Sequence, residues 1–348
     1  MARIVLELTN RCNLRCRHCY DERHASTGDL PCEIVETVLR GGASCGIDHV
    51  CFSGGEPTLH KAFGTIVERV CQEGFAFSIV TNGLNFPGVS RLLARHRHRL
   101  QGVTFSLDGA DASTHDRLRG AGSYRQVMRA AAVAVARDLP FTFNCVLTRE
   151  NHNQIERMIE LGASLGSRGV RFGHLLFTAE TNPGLILSPA ERREVEERIW
   201  TLRTGARVPV GMAPGYFSES PHFPCGPLEL QEFHVDHRGN LTFCCHLSGY
   251  QGPNAGRDVV GSLAAMSLVE ACEEFRARVA TYRSDKRERV RAGMLTGTDH
   301  FPCWYCVKYM GKVPDVTILA PLGWDSPPDR PIHRRIHVAA APHRDPAA

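Results

Sequence analysis

Cys12, Cys16 and Cys19 stand in the run Cys12-Asn13-Leu14-Arg15-Cys16-Arg17-His18-Cys19. Three thiolates in one short loop can hold three irons of a [4Fe-4S] cube and leave the fourth iron open to an exogenous ligand. Ligands of clusters that only carry electrons come in fours, so a triplet without a fourth cysteine nearby points to a reaction site. The same spacing also suits a structural zinc knuckle or three core thiols. A second set lies downstream: Cys225, Cys244 with its neighbour Cys245, then the CxxC pair Cys303 and Cys306. Between Cys225 and Cys244, residues 233–243 read as a hairpin with Arg238-Gly239-Asn240 at its turn, which lets the two cysteines converge. Four such thiolates suit either Zn²⁺ or a fully ligated [4Fe-4S] cluster, and spacing does not separate the two. Cys32, Cys45, Cys51, Cys71, Cys145 and Cys272 fall on helical or strand stretches and read as small core residues.

The elements that position these residues follow from periodicity. Apolar runs at 3–9, 47–53, 75–81, 102–106, 141–147 and 169–174 read as strands. Helical stretches alternate with them, such as the one carrying Ile34, Val35, Val38 and Leu39 at spacings of three and four. Ser188-Pro189-Ala190-Glu191 has the signature of a helix start, with serine as cap, proline in the first turn and glutamate three on. The result is an α/β chain whose six βα units in residues 1–205 make a partial (β/α)6 barrel. The cysteine loop ends the first strand, and Gly54-Gly55-Glu56-Pro57 ends the second. Both then open on the same face of a parallel sheet, where ligands collect. Glycines there allow close backbone approach, and the proline stiffens the turn. Thr81-Asn82-Gly83 ends the third strand and reads first as turn chemistry and second as active-site wall.

From residue 206 prolines break the helical rhythm, and residues 206–312 read as a small cysteine-rich C-terminal domain. A helix is expected around 266–280 and a solvated one over the mixed-charge run 283–291. Residues 313–348 are expected to be a largely disordered tail, whose His333, His337 and His343 carry no specific role. The chain has 348 residues, a formal charge of +4 and fourteen cysteines. Basic residues are spread out, so nucleic acid is not the expected partner. No apolar run approaches a membrane span and no signal segment precedes the first strand, so the expected location is the cytoplasm, with no membrane partner. Cytosolic thiols stay reduced, which favours metal ligands over disulfides.

The CxxxCxxC loop and the Gly-Gly-Glu-Pro turn together resemble the radical S-adenosylmethionine (SAM) superfamily, and the later cysteines resemble its SPASM/twitch subgroup. The resemblance implies that SAM binds the open iron through its amino and carboxylate groups. Electron transfer from the cluster then cleaves SAM to a 5′-deoxyadenosyl radical that abstracts hydrogen from a substrate. It implies cofactor contacts from Gly54, Gly55, Glu56 and Pro57 to the methionyl amine, from His18 near the adenine, and from Ser106 and Arg119 near the ribose and carboxylate. Asn144 would hydrogen-bond the cofactor, or serve as a satisfied core amide. Val170 and Phe172 would offer adenine an apolar or backbone contact. Cys12, Cys16 and Cys19 would hold the first cluster. Cys225, Cys244, Cys303 and Cys306 would hold an auxiliary one, with Cys245 as rival to Cys244. No cysteine follows Cys306, so the shorter twitch domain fits better than a full SPASM domain.

The function so implied is an oxidoreductase-type radical SAM enzyme that matures a ribosomally made peptide, by a crosslink or a residue modification. It would be served by a reductant such as flavodoxin or ferredoxin. The alternatives are oxidation or rearrangement of a small molecule of aminoglycoside or tetrapyrrole type, and a non-catalytic iron–sulfur electron carrier. Asp108, His174, Cys245 and His246 are candidate proton or ligand donors without an assigned role.

Overall fold

The computed structural model describes residues 2–19, 27–176, 183–220, 222–223, 225–248, 250 and 254–312. The tail expectation for 313–348 lies outside them. The strands form where the apolar runs predict them: β1 (Ala2–Thr9), β2 (Ile47–Gly54), β3 (Ala76–Thr81), β4 (Leu100–Ser106), β5 (Phe141–Leu147) and β6 (Val170–His174). Each pairs in parallel with the next. The amphipathic helices α1 (Cys32–Gly42), α2 (Phe63–Gln72), α3 (Phe86–Arg95), α4 (Ala112–Arg119), α5 (Ser123–Ala136) and α6 (Ile155–Ser164) fall between these strands. The next, α7 (Pro189–Arg203), opens with the expected cap: Ser188 Oγ accepts from the Glu191 amide at 3.2 Å, and the Glu191 carboxylate accepts from the Ser188 amide.

The sheet runs further than six strands. β7 (Val210–Met212) pairs with β6, and β8 (Glu232–Val235) lies parallel to β1, carrying the antiparallel β9 (Asn240–Thr242) and β10 (Val259–Ser262). The strand order is β10-β9-β8-β1-β2-β3-β4-β5-β6-β7, so the sheet stays open, with β10 and β7 at its edges. β7 has three residues, too few for a period of two to register. The β8–β1 pairing is long-range, and no local pattern encodes it. The hairpin turn falls where expected: Gly239 takes φ 84°, and the Asp236 carboxylate accepts from the amides of Arg238 and Asn240.

Two expected C-terminal helices are one. α8 (Leu268–Arg291) carries no glycine or proline to break it, and its buried stripe of Leu268, Ala271, Cys272, Phe275, Val279, Tyr282 and Lys286 recurs at helical spacing. Phe275 packs on Phe233 and Phe243, which seats the helix against the hairpin. A short helix, α9 (Pro302–Tyr309), follows.

Side chains alternate along a strand between the two faces of the sheet. Phe52, Phe77, Phe105, Phe143 and Phe172 are fully buried on the face the helices cover. The residues between them must therefore face inward: Cys51, Ser78, Thr104, Thr142, Asn144 and Arg171. These are mostly polar, and they line a cavity of about 1190 Å³ instead of filling a core.

Candidate cofactor and metal sites

The first cysteine loop leaves β1 at its C-terminal end, and a backbone clamp holds it there. Gly55 N donates to Thr9 O at 2.7 Å and Glu56 N to Arg11 O at 2.8 Å. The approach is so close that a Cβ on Gly54 would sit 2.3 Å from Thr9 O, and one on Gly55 2.3 Å from Arg11 O. The glycines expected to admit a ligand thus first admit the neighbouring loop, although both also line the cavity. Glu56 is fully buried behind that wall. It accepts hydrogen bonds from the Thr58 hydroxyl, the Thr81 hydroxyl and the Asn82 amide, and so ties the turn to the end of β3. Pro57 is buried with it.

Cys12, Cys16 and Cys19 all line the cavity. Cys12 Sγ receives the Leu14 amide at 3.4 Å and lies 3.8 Å from Nδ2 of Asn82, which lines the cavity as well as forming the turn. Cys16 Sγ lies 3.9 Å from Arg119 Nη1. Burial pushes the Cys16 thiol up to about 11, against the pull of Arg119, and burial also raises Cys12. Bound iron reverses that preference, because a metal ligand must be the thiolate. Among the described residues no three His, Cys, Asp or Glu side chains converge on a single metal ion. A set of spaced thiols with hydrogen-bond donors aimed at them suits a cube of irons.

Arg119 is not a free fork. Its Nε donates to Asp108, a fully buried carboxylate that also accepts from the Val146 amide and lies 3.3 Å from His18 Nε2. Arg119 holds Asp108 below the usual carboxylate range, and burial lowers His18 to about 4, so the imidazole is neutral at pH 7. Asp108, an unassigned candidate donor, therefore positions Arg119 and His18. Ser106 and Asn144 face each other across β4 and β5 on one rung, both reach the cavity, and neither side chain has a partner among the described residues. Phe172 departs from expectation: it packs on the helix side, outside the cavity wall, whereas the unpredicted Arg171 beside it reaches inside. His174 is engaged by Glu196 at 2.7 Å.

The second cysteine set gathers on the far side of β8. Cys244 follows β9, Cys303 and Cys306 lie on α9, and Cys225 precedes β8. The charges of Cys306 and Cys225 act on Cys303, and that of Cys303 on Cys244, so each raises its neighbour's thiol pKa. Cys303 Sγ is 3.9 Å from His246 Nδ1, and Cys306 Sγ is 3.1 Å from the Tyr282 hydroxyl. Burial pushes the Cys225 thiol up to about 12. Lys286, also buried, places Nζ 4.4 Å from the Tyr305 ring centroid and within the field of Cys306 and Cys225. None of these four cysteines lines the cavity. Cys245 does, together with His246. The four-sulfur donor set fits a fully ligated cluster.

The profile of the Radical SAM superfamily matches residues 6–162. PqqA peptide cyclase of Methylorubrum populi is 25% identical over 250 residues, 69% of this chain and 65% of its own. AdoMet-dependent heme synthase of Methanosarcina barkeri is 30% identical over 224 residues, 62% of each chain. Among solved structures, anSMEcpe with bound AdoMet and Cp18Cys peptide shares the fold at a TM-score of 0.63 and 19% identity, over 80% of this chain and 82% of that one. The chain thus spans 65% of the length of the first of these curated relatives. Among the described residues no helix is long and apolar enough to cross a membrane.

Proposed function

We propose, from the premise that residues 6–162 are a radical SAM domain, that the protein uses S-adenosylmethionine to modify a ribosomally made peptide. The observation that carries this is the convergence of Cys12, Cys16 and Cys19, Gly54 and Gly55, and the free Ser106–Asn144 rung on one cavity of about 1190 Å³. When bound, the cluster supplies the electron that cleaves SAM and so yields the radical that starts the chemistry. The three cysteines hold it, with Asn82 and Arg119 facing two of their sulfurs. Gly54, Gly55 and the backbone of Glu56 and Pro57 hold the methionyl end of SAM, Ser106, Asn144 and Arg119 its polar groups, and His18 packs near the adenine. The peptide substrate is supported by the PqqA peptide cyclase relative and by the Cp18Cys peptide bound in the anSMEcpe structure.

Cys225, Cys244, Cys303 and Cys306 would hold an auxiliary cluster, in a twitch domain over 206–312, and such a cluster would supply an electron acceptor. Cys245 faces the cavity, which favours Cys244 as the ligand. A reductant of flavodoxin or ferredoxin type would serve the cluster that Cys12, Cys16 and Cys19 hold. A small-molecule substrate is the second reading, favoured by the heme synthase relative.

The test is anaerobic reconstitution followed by iron analysis and a SAM-cleavage assay. The reading expects about eight irons per chain and release of 5′-deoxyadenosine without substrate, abolished in Cys16→Ala. Continued cleavage by that variant would sink the cofactor assignment. Iron without any cleavage would leave an electron carrier.

A further inference from the structure

Arg171 sits on β6 across from Asn144, and its side chain enters the cavity. Among the described residues it has no hydrogen-bond or ion-pair partner. The charged and titratable groups that face it are Arg3, Glu232, Cys245 and Cys51. Glu232 is already taken: Arg3 Nε donates to it at 2.6 Å. Two guanidiniums therefore share one carboxylate in the floor of the barrel. Arg171 is solvent-exposed where it lines the cavity, and the protein around it lowers its pKa through desolvation. A guanidinium with no partner of its own, open to the cavity, is available to an anionic ligand.

The rest of the wall has the same bias. Arg168, Arg203 and Arg207 also line the cavity without an ion pair among the described residues. Its two lining carboxylates, Glu7 and Glu232, are answered by His234 and Arg3. Arg119 is answered by Asp108. A net positive field inside low-dielectric walls concentrates anions and draws them inward. Thr142 and Asn144 stand beside Arg171 as neutral hydrogen-bonding groups. A guanidinium in that setting matches a carboxylate through two parallel N–H···O bonds.

We propose that Arg171, backed by the Arg3–Glu232 pair, is an anion subsite that takes a carboxylate of the substrate. Resting on the peptide reading above, this is an aspartate or glutamate side chain near the residue to be modified. The subsite sets which peptide enters and in what register, and it leaves SAM to Ser106, Asn144 and Arg119.

The experiment uses the reconstituted full chain with SAM and pools of short random peptides, C-terminally amidated, with a fixed central Glu, Gln or Lys. A Gln pool with a free C-terminal carboxylate separates a side-chain carboxylate from a terminal one. Peptides retained by the immobilised protein are counted by mass spectrometry. Wild type should retain the Glu pool about tenfold over the amidated Gln pool, what one charge-assisted hydrogen bond contributes. Arg171→Gln should remove that preference, and Arg171→Glu should transfer it to the Lys pool, a gain that a misfolded protein cannot give. Preference for the free-acid Gln pool alone would overturn the side-chain assignment. No preference in wild type, a preference that survives Arg171→Gln, or a SAM dissociation constant raised tenfold in Arg171→Gln would each overturn the subsite. Glutarate binding that is lost in Arg171→Gln, with no pool retained, would keep the anion subsite and overturn the peptide reading.

Discussion

The two cysteine sets of this chain are held in opposite ways. Cys12, Cys16 and Cys19 lie on a loop that faces a cavity, and two of their sulfurs meet donors that reach out from neighbouring strand ends and α4. Cys225, Cys244, Cys303 and Cys306 lie off the cavity, half-buried against the hydrophobic core. Three sulfurs beside open space leave room for a ligand on the metal. On the reading proposed above, the four sulfurs off the cavity, one of them 3.1 Å from the Tyr282 hydroxyl, serve electron transfer alone. On that reading, openness, more than sulfur, separates a reaction site from a relay.

The sharpest way to break this contrast is to remove one sulfur from each side. Cys16→Ala should lower SAM cleavage to background, a loss of at least about 10³-fold in 5′-deoxyadenosine by chromatography. Cys303→Ala should leave substrate-free cleavage within about threefold, while iron falls to about four per chain. Equal losses in both variants would erase the distinction. Next in size is Asp108→Asn. It strands a buried guanidinium, which costs about 3–5 kcal/mol, read from the denaturation midpoint. A midpoint like wild type would show that Arg119 does not depend on its partner.

Gly55→Ala tests the loop clamp. The added Cβ meets the Arg11 carbonyl, so the variant should lose about 1–3 kcal/mol and part of its cleavage activity, with the C-terminal iron retained. The smallest effect is expected on the closed side. Lys286→Met removes a cation near Cys306 and Cys225, which makes electron uptake there less favourable. The potential of that centre should fall by roughly tens of millivolts in an EPR-monitored titration, with no change at the open site.

Much of this was legible without coordinates, because strands β1 to β6 are apolar runs that end in turn residues and the cysteines announce themselves. The Ser188 cap was equally readable, being a local motif. What stayed hidden was long-range or double-edged. Nothing near Arg119 says that Asp108 will occupy its Nε, and nothing in the Gly-Gly-Glu-Pro turn says that Glu56 will be spent on Thr58, Thr81 and Asn82. Arg171 was hidden by attention to its neighbours. Once Val170 and Phe172 are read as helix-facing, a period of two forces the residue between them inward. The β8–β1 pairing had no local signal at all.

That last pairing has a consequence in time. Arg3 and Glu232 are 229 positions apart, so during synthesis β1 waits as an unpaired edge while every strand to its other side is made. An exposed parallel edge invites wrong partners. The cysteine loop hangs from this same strand, and its clamp residues and Asn82 arrive well before β8 does. A chain that ends before residue 232 lacks β8, so the strand that carries the cysteine loop keeps an unpaired edge.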